Sequence, residues 1–99
     1  MYGTAMIATL KGDRDAMERE LADWVATRGP EVPGFVDARL LFGEDGKTVV
    51  NTVRFESRED YVRLADDPRQ DTWYAEHVAP LIEGDAQWID GYWIESSPA

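Results

Sequence analysis

Gly34-Phe35-Val36-Asp37-Ala38-Arg39-Leu40-Leu41-Phe42-Gly43-Glu44-Asp45-Gly46-Lys47-Thr48-Val49-Val50-Asn51-Thr52-Val53-Arg54-Phe55-Glu56 is the stretch that decides the fold. Two runs rich in β-branched and aromatic residues flank Asp45-Gly46, a pair favoured in the two-residue loop of a type I′ hairpin. Strands are therefore expected over 34–44 and 47–56. Pairing Glu44 with Lys47 sets Phe42 against Val49, Leu40 against Asn51, Ala38 against Val53 and Val36 against Phe55, all on one face. The other face pairs Leu41 with Val50, Arg39 with Thr52, Asp37 with Arg54 and Phe35 with Glu56. That mixed set suits water or a polar dimer contact.

Upstream of the hairpin, Met6, Ile7, Ala8 and Leu10 form a short apolar run over 4–11 that stops at Gly12-Asp13, as a first strand would. A helix follows, capped by Asp13, with Met17, Leu21, Trp24, Val25 and Arg28 on one stripe and Gly29-Pro30 at its end. Downstream, Ser57 with Asp60 three residues on opens a second helix carrying Tyr61, Leu64 and Ala65 on one side. Pro68 breaks it. A third helix is expected to carry Trp73, Tyr74, His77, Val78, Leu81 and Ile82, kinked or ended early by Pro80. The last strand is expected over 87–96, where Trp88, Ile89, Tyr92, Trp93 and Ile94 put large apolar groups on both faces. An edge strand avoids that unless a partner covers it. The order is βαββαβ, with the last helix broken in two. It describes a single α+β domain over 1–99 with a ferredoxin-like antiparallel sheet.

Composition narrows the function classes. A formal net charge of −10 disfavours phosphate backbones and anionic membrane surfaces, so neither nucleic acid nor membrane is an expected partner. The chain has no cysteine, which excludes disulfides, thiolate chemistry and Cys-type zinc sites, and fits a cytoplasmic location. Neither a signal peptide nor a membrane span is legible. Four Trp, four Tyr and three Phe are a large aromatic supply for 99 residues, and suggest burial against a second copy of the chain.

Seven of the eight residues on the helix-facing side of the hairpin are apolar, and the exception is Asn51. A buried amide without partners costs about 1–3 kcal/mol, so a neighbouring helix, a water or a ligand must satisfy it. Around it the fold would gather Leu40, Phe55, Tyr61, Trp73, Tyr74 and His77. These are flat apolar walls with a few polar tips, suited to an aromatic ligand or simply to a core. His77 is the only histidine, and Glu76-His77 is not ligand spacing on one helix face, so no metal site is expected. Gly43-Glu44-Asp45-Gly46-Lys47 lacks the spacing of a phosphate loop, and no dinucleotide-binding glycine pattern occurs.

Val32-Pro33-Gly34-Phe35, Asp45 to Asn51, Phe55-Glu56-Ser57-Arg58-Glu59, Asp67-Pro68-Arg69 and Ala79-Pro80-Leu81, in this order and spacing, resemble the antibiotic biosynthesis monooxygenases. The flavour is that of the actinorhodin-pathway enzymes, and the similarity runs from the first strand to the last. The resemblance implies a dimeric α+β barrel. It also implies an enzyme that oxidises a phenolic or anthrone-type compound to a quinone with O₂, without flavin or metal. Asn51 matches the family's active-site asparagine, and Tyr61 matches a pocket tyrosine assigned to proton transfer. The family's tryptophan four residues beyond the asparagine is Phe55 here. Leu41 stands in place of a hairpin histidine, and Tyr74 in place of a third-helix arginine. Asn51 and Tyr61 are thus the expected catalytic residues, with Leu40, Phe55, Trp73, Tyr74 and His77 holding the substrate. No cofactor is expected. The alternatives are a non-catalytic small-molecule-binding module of the same fold and, with less similarity, a haem-degrading monooxygenase. For the latter, Ala5 and Leu64 would replace an asparagine and a tryptophan.

Overall fold

The computed structural model describes residues 1–98. Strand β1 (Tyr2–Leu10) is followed by helix α1 (Arg14–Thr27), strands β2 (Phe35–Phe42) and β3 (Thr48–Phe55), helices α2 (Arg58–Ala65) and α3 (Pro68–Trp73), and strand β4 (Ile82–Tyr92). The four strands form one antiparallel sheet in the order β2-β3-β1-β4, the ferredoxin-like arrangement. The helices pack on one face.

Local chemistry sets the helix starts. The Asp13 carboxylate accepts the Asp15 N–H at 2.8 Å, and the Ser57 hydroxyl accepts the Asp60 N–H at 3.2 Å. Pro68 does not merely end α2. It opens α3 as that helix's first residue, behind the Asp67 cap.

The hairpin register is as expected from Phe42↔Val49 through Leu40↔Asn51 to Asp37↔Arg54, but two details differ. The connection is not a type I′ turn. Only Gly46 has a positive φ, 72°, and its N–H reaches the Gly43 carbonyl at 3.1 Å. The loop spans the four residues from Glu44 to Lys47 because the Asp45 carboxylate holds it open, accepting from the Lys47 and Thr48 N–H groups and from the Thr48 hydroxyl. At the far end a bulge sets Phe35, not Val36, opposite Phe55. Phe35 thereby joins the helix side, where it packs edge to face against Trp24 at 5.2 Å and Phe55 at 5.9 Å. The gain is the burial of one more aromatic ring.

The second half departs further from the sequence reading. After Trp73 the chain widens into one π-helical turn, Tyr74–Val78, then a 3₁₀ turn over Ala79–Leu81, so that Leu81 ends the helical run and Ile82 lies outside it. Strand β4 begins at Ile82 rather than at 87, because Ile82 pairs with Leu10 and is buried in the core. It passes a bulge, where Gly84, Asp85 and Ala86 face Ala8, and ends at Tyr92. Gly84 takes a φ of 62° to make that bulge. No helix among the described residues is long and apolar enough to cross a membrane.

Candidate functional site

Between the helices and the sheet lies a cavity of about 380 Å³, within the size range of small-molecule sites. Its floor is the helix-facing side of the sheet: Met6 and Thr4 from β1, Leu40 and Ala38 from β2, and Asn51 and Val53 from β3. The period-two alternation of the hairpin puts these side chains on one face, and the register puts Leu40 beside Asn51. The roof is helical. Helix α1 contributes Met17, Leu21 and Trp24, α2 contributes Tyr61 and Leu64, and α3 with its π turn contributes Trp73, Tyr74 and Val78. Trp88 of β4 completes the wall. It is half exposed and lies 5.6 Å from the Tyr74 ring, so this pair forms a rim between cavity and solvent.

Asn51 is the anomaly of this apolar lining. Its Oδ1 is buried and has no hydrogen-bond partner, so no neighbouring helix satisfies the amide. Three other polar lining groups are engaged. Trp24 Nε1 donates to Gln70 Oε1 at 3.0 Å, the Thr4 hydroxyl donates to the Ile89 carbonyl at 3.2 Å, and the Tyr61 hydroxyl donates to Asp90 Oδ1 at 2.9 Å. Burial, and next the neighbouring Asp90 carboxylate, push the Tyr61 phenol up to about 12. Burial, then Asp85, also raises Tyr74. Both phenols therefore keep their protons at neutral pH.

Of the residues expected at the site, Leu40, Asn51, Phe55, Tyr61, Trp73 and Tyr74 line the cavity. Phe55 is fully buried beneath Tyr61, with ring centroids 5.5 Å apart, and presents a wall with no hydrogen-bond donor. His77 is not in the lining. The π turn directs it behind Trp73, on which it stacks at 6.0 Å, and its Nδ1 meets Glu20 Oε2 of α1 at 2.9 Å. Leu41 lies on the opposite sheet face and is 67% exposed. Sequence reasoning placed Met17, Leu21 and Trp24 on an apolar stripe without assigning them to a cavity wall, and missed Gln70 and Trp88. The helix stripe was the available signal for the first three. Nothing local marks Gln70, whose partner Trp24 is 46 residues away. Among the described residues, no group of three His, Asp or Glu side chains is placed to hold a metal ion.

No protein-family model and no curated protein matches the chain. Solved structures do. SnoaB, a cofactor-independent oxygenase from Streptomyces nogalater, superposes with a TM-score of 0.78 at 19% identity, covering 99% of this chain and 97% of that one. This chain has the SnoaB fold. The monooxygenase from the gene ActVA-Orf6 of Streptomyces coelicolor, solved in complex with nanaomycin D, aligns with a TM-score of 0.66 at 24% identity, over 99% of this chain and 93% of that one. A dimeric ferredoxin-like protein from Jannaschia sp. matches at 0.61 and 17% identity, over 93% of this chain and 99% of that one. The ferredoxin-like α+β fold expected from the sequence is thus the fold found. At these identities the likeness concerns the backbone, and the cavity has to be read on its own chemistry.

Proposed function

We propose that this protein is a cofactor-independent monooxygenase of a small phenolic or anthrone-type aromatic, and that it belongs with the antibiotic biosynthesis monooxygenases. The observation that carries the reading is Asn51: an amide whose buried Oδ1 has no partner, set in the floor of a largely apolar, aromatic-walled cavity. Its Oδ1 is satisfied when a ligand O–H donates to it, and its NH₂ end can hold an oxygen on which negative charge develops. The fold shared with a cofactor-independent oxygenase supports the assignment.

The chemistry needs little from the protein. Deprotonation of the bound aromatic gives a carbanion or phenolate that passes one electron to O₂, leaving a substrate radical and superoxide. Their recombination gives a hydroperoxide, which loses water to leave a new carbonyl, so that CH₂ and O₂ become C=O and H₂O. Asn51 steadies one substrate oxygen through these steps, Tyr61 clamps the substrate by accepting a hydrogen bond at another, and Leu40, Phe55, Trp73 and Tyr74 orient the rings and exclude water.

A homodimer belongs to the same proposal. The sheet face away from the helices carries Ala5, Ile7, Val50, Leu41 and Ile89, and Leu41 and Ile89 are 67% and 53% exposed. A second copy packed there would cover this apolar surface and form the α+β barrel. The absence of cysteine suits a cytoplasmic enzyme.

The test is oxygen uptake by the purified, metal-free protein against a panel of anthrones and hydroquinones. Uptake above the spontaneous rate that drops in Asn51→Ala, with the dimer intact, supports the oxygenase. Saturable binding of these compounds without uptake identifies a binding module instead.

A further inference from the structure

Tyr61 is a cavity residue whose proton points away from the cavity. A phenol oxygen has one hydrogen to give and two lone pairs to receive. Here the hydrogen goes to Asp90 Oδ1, across 29 residues and from α2 to the edge strand β4. A carboxylate acceptor makes this a strong bond of its kind. Beside the phenol lies the Thr4 hydroxyl, but the Thr4 proton is already given to the Ile89 carbonyl. What the wall shared by Thr4 and Tyr61 offers a ligand is therefore acceptor capacity. Asp90 itself does not line the cavity, so it acts only through the tyrosine.

We propose that Asp90 is a positioning residue that fixes the Tyr61 hydroxyl as a hydrogen-bond acceptor, so that the site selects aromatics presenting an un-ionised O–H at that wall. The inference rests on reading the cavity as an aromatic-ligand site, and goes beyond it by naming which polar group the ligand must carry and which residue imposes it. A phenolate at this wall would meet a lone pair instead of a donor and is disfavoured, whereas the NH₂ end of Asn51 suits an acceptor oxygen elsewhere on the ligand. The groups facing the Tyr61 hydroxyl do not all act alike: the Thr4 hydroxyl favours the ionised phenol, and the others oppose it. Besides Asp90 these groups are Tyr2 of β1, whose ring lies 5.5 Å from that of Tyr61, and Thr4. Asp90 and Tyr2 both favour the protonated phenol.

The experiment compares 1-naphthol with 1-methoxynaphthalene, which differ in carrying O–H or O–CH₃, by quenching of the cavity tryptophans at neutral pH. Wild-type protein should bind naphthol about tenfold more tightly, the effect of one hydrogen bond. Tyr61→Phe and Asp90→Ala should each bring the ratio to within about twofold, and Asp90→Asn, whose carbonyl still accepts, should keep most of the preference. Tyrosine absorbance titration reads the coupling without any ligand. The ionisation missing in Tyr61→Phe should fall from about 12 in wild type towards the ordinary tyrosine value in Asp90→Ala. Equal binding of the two probes by wild type, an unchanged ratio in Asp90→Ala, or no binding of either probe overturns the proposal. The oxygenase reading fails separately, on absent oxygen uptake, which a retained naphthol preference would survive.

Discussion

Phe35 stands directly opposite Phe55 across the hairpin, with ring centroids 5.9 Å apart and the rings edge to face. Strict alternation would have sent Phe35 to the far side of the sheet. The bulge at Val36 turns it inward, where it packs against Trp24.

Phe35→Ala should therefore cost about 2–3 kcal/mol, and Val36→Ala about 1 or less, since only the first removes an aromatic from the helix-side packing. Urea denaturation at constant m-value measures both. The reverse ranking would mean that the hairpin lacks its bulge in solution.

Replacing Asn51 by Leu should separate stability from function. The apolar side chain fits the lining and removes the unpartnered Oδ1, so the variant should gain about 1–2 kcal/mol while losing substrate oxidation. A destabilised Asn51→Leu protein would mean that the amide is a structural group after all.

Asp45 gives the hairpin a pH dependence. Hydrogen bonds from the Thr48 side chain, then from the Thr48 and Lys47 backbone, draw its carboxyl down to about 2. A lowered folded-state value means that the folded protein favours the ionised form. The contribution is complete above the unfolded value near 4 and disappears as the pH falls through about 2. The Tm difference between wild type and Asp45→Ala should be constant from pH 5 to 7 and shrink steadily below about pH 4.

The uncovered sheet face makes its own prediction. Ile89→Arg should dissociate the proposed dimer, with sedimentation velocity showing monomer at micromolar concentration, because it puts a charge on the exposed apolar face that a second copy would cover. A wild-type protein that sediments as a monomer would refute the barrel.

Much of this fold was legible because its determinants are neighbours in sequence. The Asp13 and Ser57 caps, the alternation of the hairpin and its register from Phe42 to Asp37 are set by residues a few positions apart or joined by one tight loop. The same alternation exposed Asn51 as the one polar side chain on an apolar face, which led to the cavity. Tertiary packing decided the rest. Burial of Phe35 beside Trp24 selected the bulge over regular pairing, and pairing of Ile82 with Leu10 drew the end of the third helix into strand β4. The π turn sent His77 to Glu20 and kept Trp73 and Tyr74 at the cavity. Asp90 reaches Tyr61 only once β4 lies beside β1, so the orientation of that hydroxyl is written in no local pattern: it is fixed by a bond between residues 29 positions apart.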